Sequence, residues 1–82
     1  MVSQINFRNK STTKIEILVE PSAEYIDIKP EEEVKIEFRK KNDTYNDELS
    51  ITIENNVLII YEPRQLDMTI QLDELIVFKS SV

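Results

Sequence analysis

TKIEILVEPSAEYIDIKPEEEVKIEF, residues 13–38, decides how the rest of the chain reads. It holds three runs in which apolar and polar residues alternate, with Pro21 and Pro30 at the breaks between them. A period of two sends one set of side chains to a core and the other to solvent, which is the pattern of a half-buried strand. In the first run Ile15, Ile17 and Val19 oppose Lys14, Glu16 and Glu20, with Leu18 as an apolar exception on the polar side. Ile26 and Ile28 then alternate with Tyr25, Asp27 and Lys29, and Val34, Ile36 and Phe38 with Lys35, Glu37 and Arg39. Proline has no amide hydrogen to give a ladder, so each break ends a strand. The stretch reads as three strands of one antiparallel meander.

Toward the N-terminus, Ile5 and Phe7 alternate with Asn6 and Arg8, a first strand from Ser3 to Arg8, followed by a polar turn at residues 9–12. Toward the C-terminus, residues 40–47, KKNDTYND, form the longest polar interval and read as the most mobile loop. Beyond it, LSITI and VLIIY flank Asn55-Asn56, a pair that tolerates the positive φ of a type I′ hairpin turn. That turn fixes a register in which Glu54 faces Val57, Ile53 faces Leu58, Ile51 faces Ile60 and Leu49 faces Glu62. Ile51, Ile53, Leu58 and Ile60 are then expected in the core, while Val57, Ile59 and Tyr61 form an apolar row on the other face. After Pro63, LDMTIQL alternates as a strand and lacks the stripe of a helix. A tight turn at Asp73-Glu74 would set Ile70 against Val77 and Leu72 against Leu75, leaving Ile76 and Phe78 outside. The closing KSSV is expected to fray.

Seven to eight short strands at regular spacing with no helix read as an all-β domain spanning residues 1–82, a small antiparallel β-sandwich or partly open barrel. At 82 residues most apolar side chains are needed for the core, and little remains to line a deep pocket. The chain has no Cys, no His and no Gly. Thiolate and imidazole metal sites and histidine bases are therefore excluded, as is every glycine-rich phosphate loop. An average chain of this length carries about six glycines, so turns that need positive φ must fall mainly to Asn and Asp.

Sixteen acidic and ten basic residues give a net charge of −6, which disfavours nucleic acid and anionic membranes and favours a basic protein partner. No apolar run approaches the ~18 residues of a membrane span and no signal-peptide core is evident, so a soluble, cytoplasmic protein is expected. The oxygen-rich stretch at residues 42–48 has neither the spacing nor the glycine of a known calcium loop and reads as a turn-forming loop. Glu31, Glu32 and Glu33 crowd one turn without a nucleophile or base beside them, and read as solvated charge rather than acid/base machinery. No catalytic, metal or cofactor site is assigned. Carboxylates Glu16, Glu20, Asp27 and Glu37 on the solvent side, with Tyr25 and Tyr45 as anchors, form the candidate partner surface. Leu18, Val57, Ile59, Tyr61, Ile76 and Phe78 form a candidate apolar contact for a second copy, since contiguous exposed apolar surface is uncommon on monomers.

Val19-Glu20-Pro21 and Lys29-Pro30-Glu31-Glu32 resemble a pattern in small, functionally uncharacterised bacterial β proteins: a strand ending in Val-Glu-Pro, a short acidic or aromatic strand, then a Pro-Gly-Glu-like turn. The match covers about a quarter of the chain, and it departs at Ser22, where such sequences often have Trp, and at Glu31, where they have Gly. The resemblance implies a compact β-sandwich and no activity. In size and acidity the chain is also similar to the immunity proteins that bacteria pair with secreted toxins, a class joined by role. The functional expectation is accordingly a non-enzymatic inhibitor of a basic toxin, a nuclease in the most concrete form, with a self-associating structural module as the alternative.

Overall fold

The computed structural model describes residues 2–40, 50–62 and 66–80. Alternation is realised as eight strands among them: β1 Val2–Arg8, β2 Ile15–Glu20, β3 Glu24–Ile28, β4 Glu33–Lys40, β5 Ser50–Glu54, β6 Val57–Tyr61, β7 Leu66–Leu72 and β8 Leu75–Lys79. They form two four-stranded sheets, ordered β1-β4-β7-β8 and β3-β2-β6-β5, and no barrel closes. The first is antiparallel throughout, whereas in the second β2 and β6 run parallel, each carrying its own hairpin partner on its far side. Buried Ile17, Val19, Ile26, Ile28 and Ile60 from the second sheet and Val34, Ile36, Met68 and Ile70 from the first share one core cluster. The fold is a small β-sandwich, its sheets joined through interdigitated aliphatic side chains.

The meander expected over residues 13–38 is not formed. β2 and β3 make a hairpin, but the chain then leaves their sheet, and β4 pairs with β1 and β7. The turn that redirects it has Pro30 at its second position and Glu31 at its third, with φ 71° and the Glu32 N–H donating to the Lys29 carbonyl at 3.1 Å. That is the geometry of a type II turn, in which the third residue is ordinarily Gly. Among the described residues positive φ also falls on Ala23, Asn55, Asn56, Asp73 and Glu74, so Asn and Asp share these positions there with Ala and Glu. The peptide bond between Glu20 and Pro21 is cis.

Asn9 is the polar centre of this end of the sandwich. Nearly fully buried, it accepts at Oδ1 from the Ser11 amide (3.0 Å) and hydroxyl (2.6 Å), and donates from Nδ2 to the carbonyls of Thr13 (2.9 Å) and Ile28 (3.0 Å). Its own N–H donates to the Glu32 carbonyl at 3.1 Å and its carbonyl accepts from the Glu31 N–H at 2.7 Å. Every donor and acceptor of the residue is thus satisfied, as burial requires. One side chain fastens both the β1–β2 and the β3–β4 crossings.

The Asn55-Asn56 hairpin has the expected register, with Glu54 opposite Val57, Ile53 opposite Leu58 and Ile51 opposite Ile60. Both asparagines lie at positive φ, 48° and 64°, as a type I′ turn demands. Leu49 and its pairing with Glu62 lie outside the described residues. Burial on β5 differs from expectation: Ile51 and Ile53 are on the core side but exposed, Ile53 by 72%. β5 is an edge strand, and the covered part of the core lies under β2, β3 and β6.

The last hairpin also departs from its expected register. Leu72 faces Leu75 and Gln71 faces Ile76, but a bulge at Val77 then brings Phe78, not Val77, opposite Ile70. The extra residue turns Phe78 inward, where it packs against the core instead of lying on the outer face. Pairing continues past the strand, for Ser80 is buried, its N–H donates to the Met68 carbonyl at 2.9 Å and its hydroxyl accepts from the Met68 N–H at 2.8 Å. Lys79 and Ser80 therefore do not fray. Lys40, read as loop, belongs to β4.

Two substitutions test this frame. Asn9→Asp keeps the shape but removes both Nδ2 donors, leaving the Thr13 and Ile28 carbonyls facing an acceptor, and should cost about 2–4 kcal/mol in urea unfolding at neutral pH. Glu31→Gly should exceed Glu31→Ala in stability by about 1 kcal/mol, since both lose the side chain but only Gly accepts the positive φ without steric cost. Equal stabilities for the two variants would show that the turn carries no left-handed strain.

Candidate interaction surface

The two outer faces of the sandwich differ in chemistry. On the β1-β4-β7-β8 sheet, register sends Gln4, Asn6 and Arg8 outward beside Glu33, Lys35, Glu37 and Arg39, followed by Asp67, Thr69 and Gln71. Cations and anions alternate there, and Arg8 pairs with Glu33 at 2.7 Å. A concavity of about 390 Å³ opens on this side between Glu37, Arg39, Asp67, Thr69 and Lys79. Its lining joins both signs of charge without a cluster of one kind.

The other sheet is unlike it. Its strands carry Glu16, Glu20, Glu24, Asp27 and Glu54 and no Lys or Arg. Leu18 opposes Tyr25 on one side and Ile59 on the other, and Ile59 opposes Thr52, so one row runs Tyr25, Leu18, Ile59, Thr52 across all four strands. The neighbouring rows are Asp27, Glu16, Val57, Glu54 and, at the other end, Glu20, Tyr61, Ser50. An apolar band thus crosses the middle of the face with carboxylates along its margins. Tyr25 is 62% exposed and Tyr61 50%, while Leu18, Val57 and Ile59 are partly covered by their neighbours. Lys14, just before β2, lies 3.7 Å from Glu16 and 3.6 Å from Asp27, and Glu62 beyond β6 contacts the Ser22 hydroxyl.

The structure therefore brings together Glu16, Glu20, Tyr25 and Asp27 from the acidic set with Leu18, Val57, Ile59 and Tyr61 from the apolar set. It separates Glu37, which lies on the other sheet and is not a neighbour of these carboxylates. Ile76 is exposed at the far edge of that other sheet and Phe78 faces inward, so neither extends the band. Tyr45 and the oxygen-rich loop lie outside the described residues. Glu54 was not singled out from sequence, although its register opposite Val57 already placed it on this face. Leu18 and Ile59 were each conspicuous as an outward apolar residue, and their adjacency comes from the parallel β2–β6 pairing, which no local pattern encodes.

The three consecutive glutamates have separate structural duties. Glu31 meets Lys10 at 3.1 Å, the Glu32 carboxylate accepts from the Lys29 N–H at 2.7 Å, and Glu33 holds Arg8. Among the described residues, no group of Asp and Glu side chains is arranged to hold a metal ion, and no helix is long and apolar enough to cross a membrane. Comparison with protein-family models, with curated proteins and with solved structures finds no match to this chain.

Opposite sides of β6 provide the test of this face. Ile60 is fully buried and Ile60→Ala should cost about 2–5 kcal/mol, whereas Ile59→Thr, which keeps a β-branched side chain on the outer band, should cost about 1 kcal/mol or less. Comparable losses for both, measured by chemical denaturation, would mean that the outer band is itself core.

Proposed function

We propose that the chain is a non-enzymatic binding protein whose β3-β2-β6-β5 face covers a basic surface on a protein partner, most concretely as an immunity or inhibitor protein against a basic toxin such as a nuclease. The observation that carries this reading is the coincidence, on one face, of two exposed tyrosines and a half-buried aliphatic band with margins built from carboxylates and no cation within the strands. An apolar centre supplies residence time once water is excluded, and like-signed margins steer an oppositely charged partner into encounter. Solvation alone would be served equally by carboxylates spread over both sheets. Glu16, Asp27, Glu20 and Glu54 would occupy the places where the partner otherwise meets phosphates, with Tyr25 and Tyr61 as anchors. Action in the cytoplasm, where such inhibitors protect the producing cell, belongs to the same proposal.

The adjacent gene identifies the partner to test, and binding of the two purified proteins then gives an outcome of each kind. Association should slow steeply with added salt, and Asp27→Lys with Glu16→Lys should lower the association rate about tenfold or more. Tyr25→Ala should instead act on dissociation, raising its rate about tenfold or more. Salt-insensitive binding, or a partner without basic character, removes the reading.

A further inference from the structure

β8 is an edge strand that does little to protect itself. Among the described residues it pairs with β7 on one side only, and Leu75 and Ile76 are exposed by 69% and 56%, on opposite faces of the sheet. Unpaired backbone groups flanked by apolar side chains form a template for another strand, a hazard that edges usually meet with charge. The other edges differ. β3 carries Glu24 and Asp27, β1 carries Gln4, Asn6 and Arg8, and β5 carries Glu54. Only β8 is apolar through its middle with opposite charges at its ends, Glu74 before it and Lys79 at its close.

We propose that β8 pairs antiparallel with β8 of a second copy of this chain, joining two four-stranded sheets into one continuous sheet across a two-fold axis. Directly opposed residues in an antiparallel pair share a face. Leu75 and Phe78 lie on the inner face, opposite Leu72 and Ile70, while Ile76 and Lys79 lie on the outer face, opposite Gln71 and Thr69. In a regular strand Leu75 and Phe78 would fall on opposite faces. The bulge at Val77 puts them on the same one. A two-fold axis between Ile76 and Val77 then sets Leu75 against the second copy's Phe78, Ile76 against its Val77, and Glu74 against its Lys79. The axis repeats each contact, so carboxylate meets ammonium at both ends of an apolar stretch. Centring the axis on Val77 instead would oppose Leu75 to Lys79, an inner residue to an outer one. Face matching and charge matching thus select the same register. This pairing is independent of the acidic face, which lies on the other sheet.

Sedimentation equilibrium of the full chain over a wide dilution series tests the proposal, with circular dichroism to verify that each variant is folded. The natural sequence should show a reversible monomer–dimer equilibrium. Glu74→Lys and Lys79→Glu should each weaken dimerisation about tenfold, and the double exchange should restore it, because charge is swapped across the same axis. Tyr61→Lys on the opposite sheet should leave the equilibrium unchanged. A monomer at all concentrations overturns the proposal. So does a dimer that tolerates both single exchanges, or one lost only in Tyr61→Lys, which would place the contact on the acidic face.

Discussion

The hydrogen-bond saturation of Asn9 is the constraint on which the sandwich depends. A buried amide side chain is costly unless all its groups are paired, and here pairing requires four separate stretches of chain to meet: the end of β1, the turn into β2, the end of β3 and the turn into β4. The two strand ends lie on different sheets, and the two turns are the crossings between them. Fixing Asn9 therefore fixes how the sheets are joined at this end, and Arg8 reinforces it from the surface through the Glu31 carbonyl at 2.9 Å and the Glu33 carboxylate. The apolar core supplies most of the driving force but is indifferent to direction. Asn9 supplies the geometry.

Separation of charge follows from that geometry. The crossings at residues 9–14 and 29–32 deliver the acidic hairpin β2–β3 to one sheet and the mixed-charge strand β4 to the other. Had residues 13–38 formed a single meander, Lys35 would have stood on the strand next to that of Asp27 and offset part of the acidic field. Splitting the run between two sheets leaves the strands of the acidic sheet without a cation of their own, with Lys14 paired to Glu16 and Asp27 at the margin. Net charge alone conceals this, because the chain's cations are segregated rather than few.

Where the fold was legible, the signal was local. Alternation or a short apolar run marked each strand, and Asn55-Asn56 set both its turn and its register because a two-residue turn leaves the backbone almost no alternative. The lost information concerned partners distant in sequence. Nothing in VLIIY specifies β2 as its parallel neighbour, and nothing in EEEVKIEF states that it leaves the preceding hairpin. Phe78 was misplaced for a smaller reason, since one extra residue reverses every side chain beyond it and a bulge at Val77 has no compositional mark in a run of apolar residues. Ile51 was assigned the correct side but not the correct exposure, because alternation reports which way a side chain points and not whether anything lies over it. The acidic face was accordingly half visible: its residues could be named, but only the sheet order shows that Glu37 does not belong.

The parallel contact between β2 and β6 has a consequence for how the chain comes to be folded. Hairpins β2–β3, β5–β6 and β7–β8 close over short loops, but residues 15–20 find their second neighbour only at residues 57–61, and β1 waits for β4 and β4 for β7. Loop-closure entropy must be met before such distant pairings contribute anything, which makes this a slow topology for its length. During synthesis, the first hairpin emerges with the β6-facing edge of β2 still open, and that edge stays unpaired until residues 57–61 have been made. Until β6 arrives that open edge is flanked by Glu16, Glu20, Glu24 and Asp27, and like charge along an edge disfavours its pairing with the same edge of another chain.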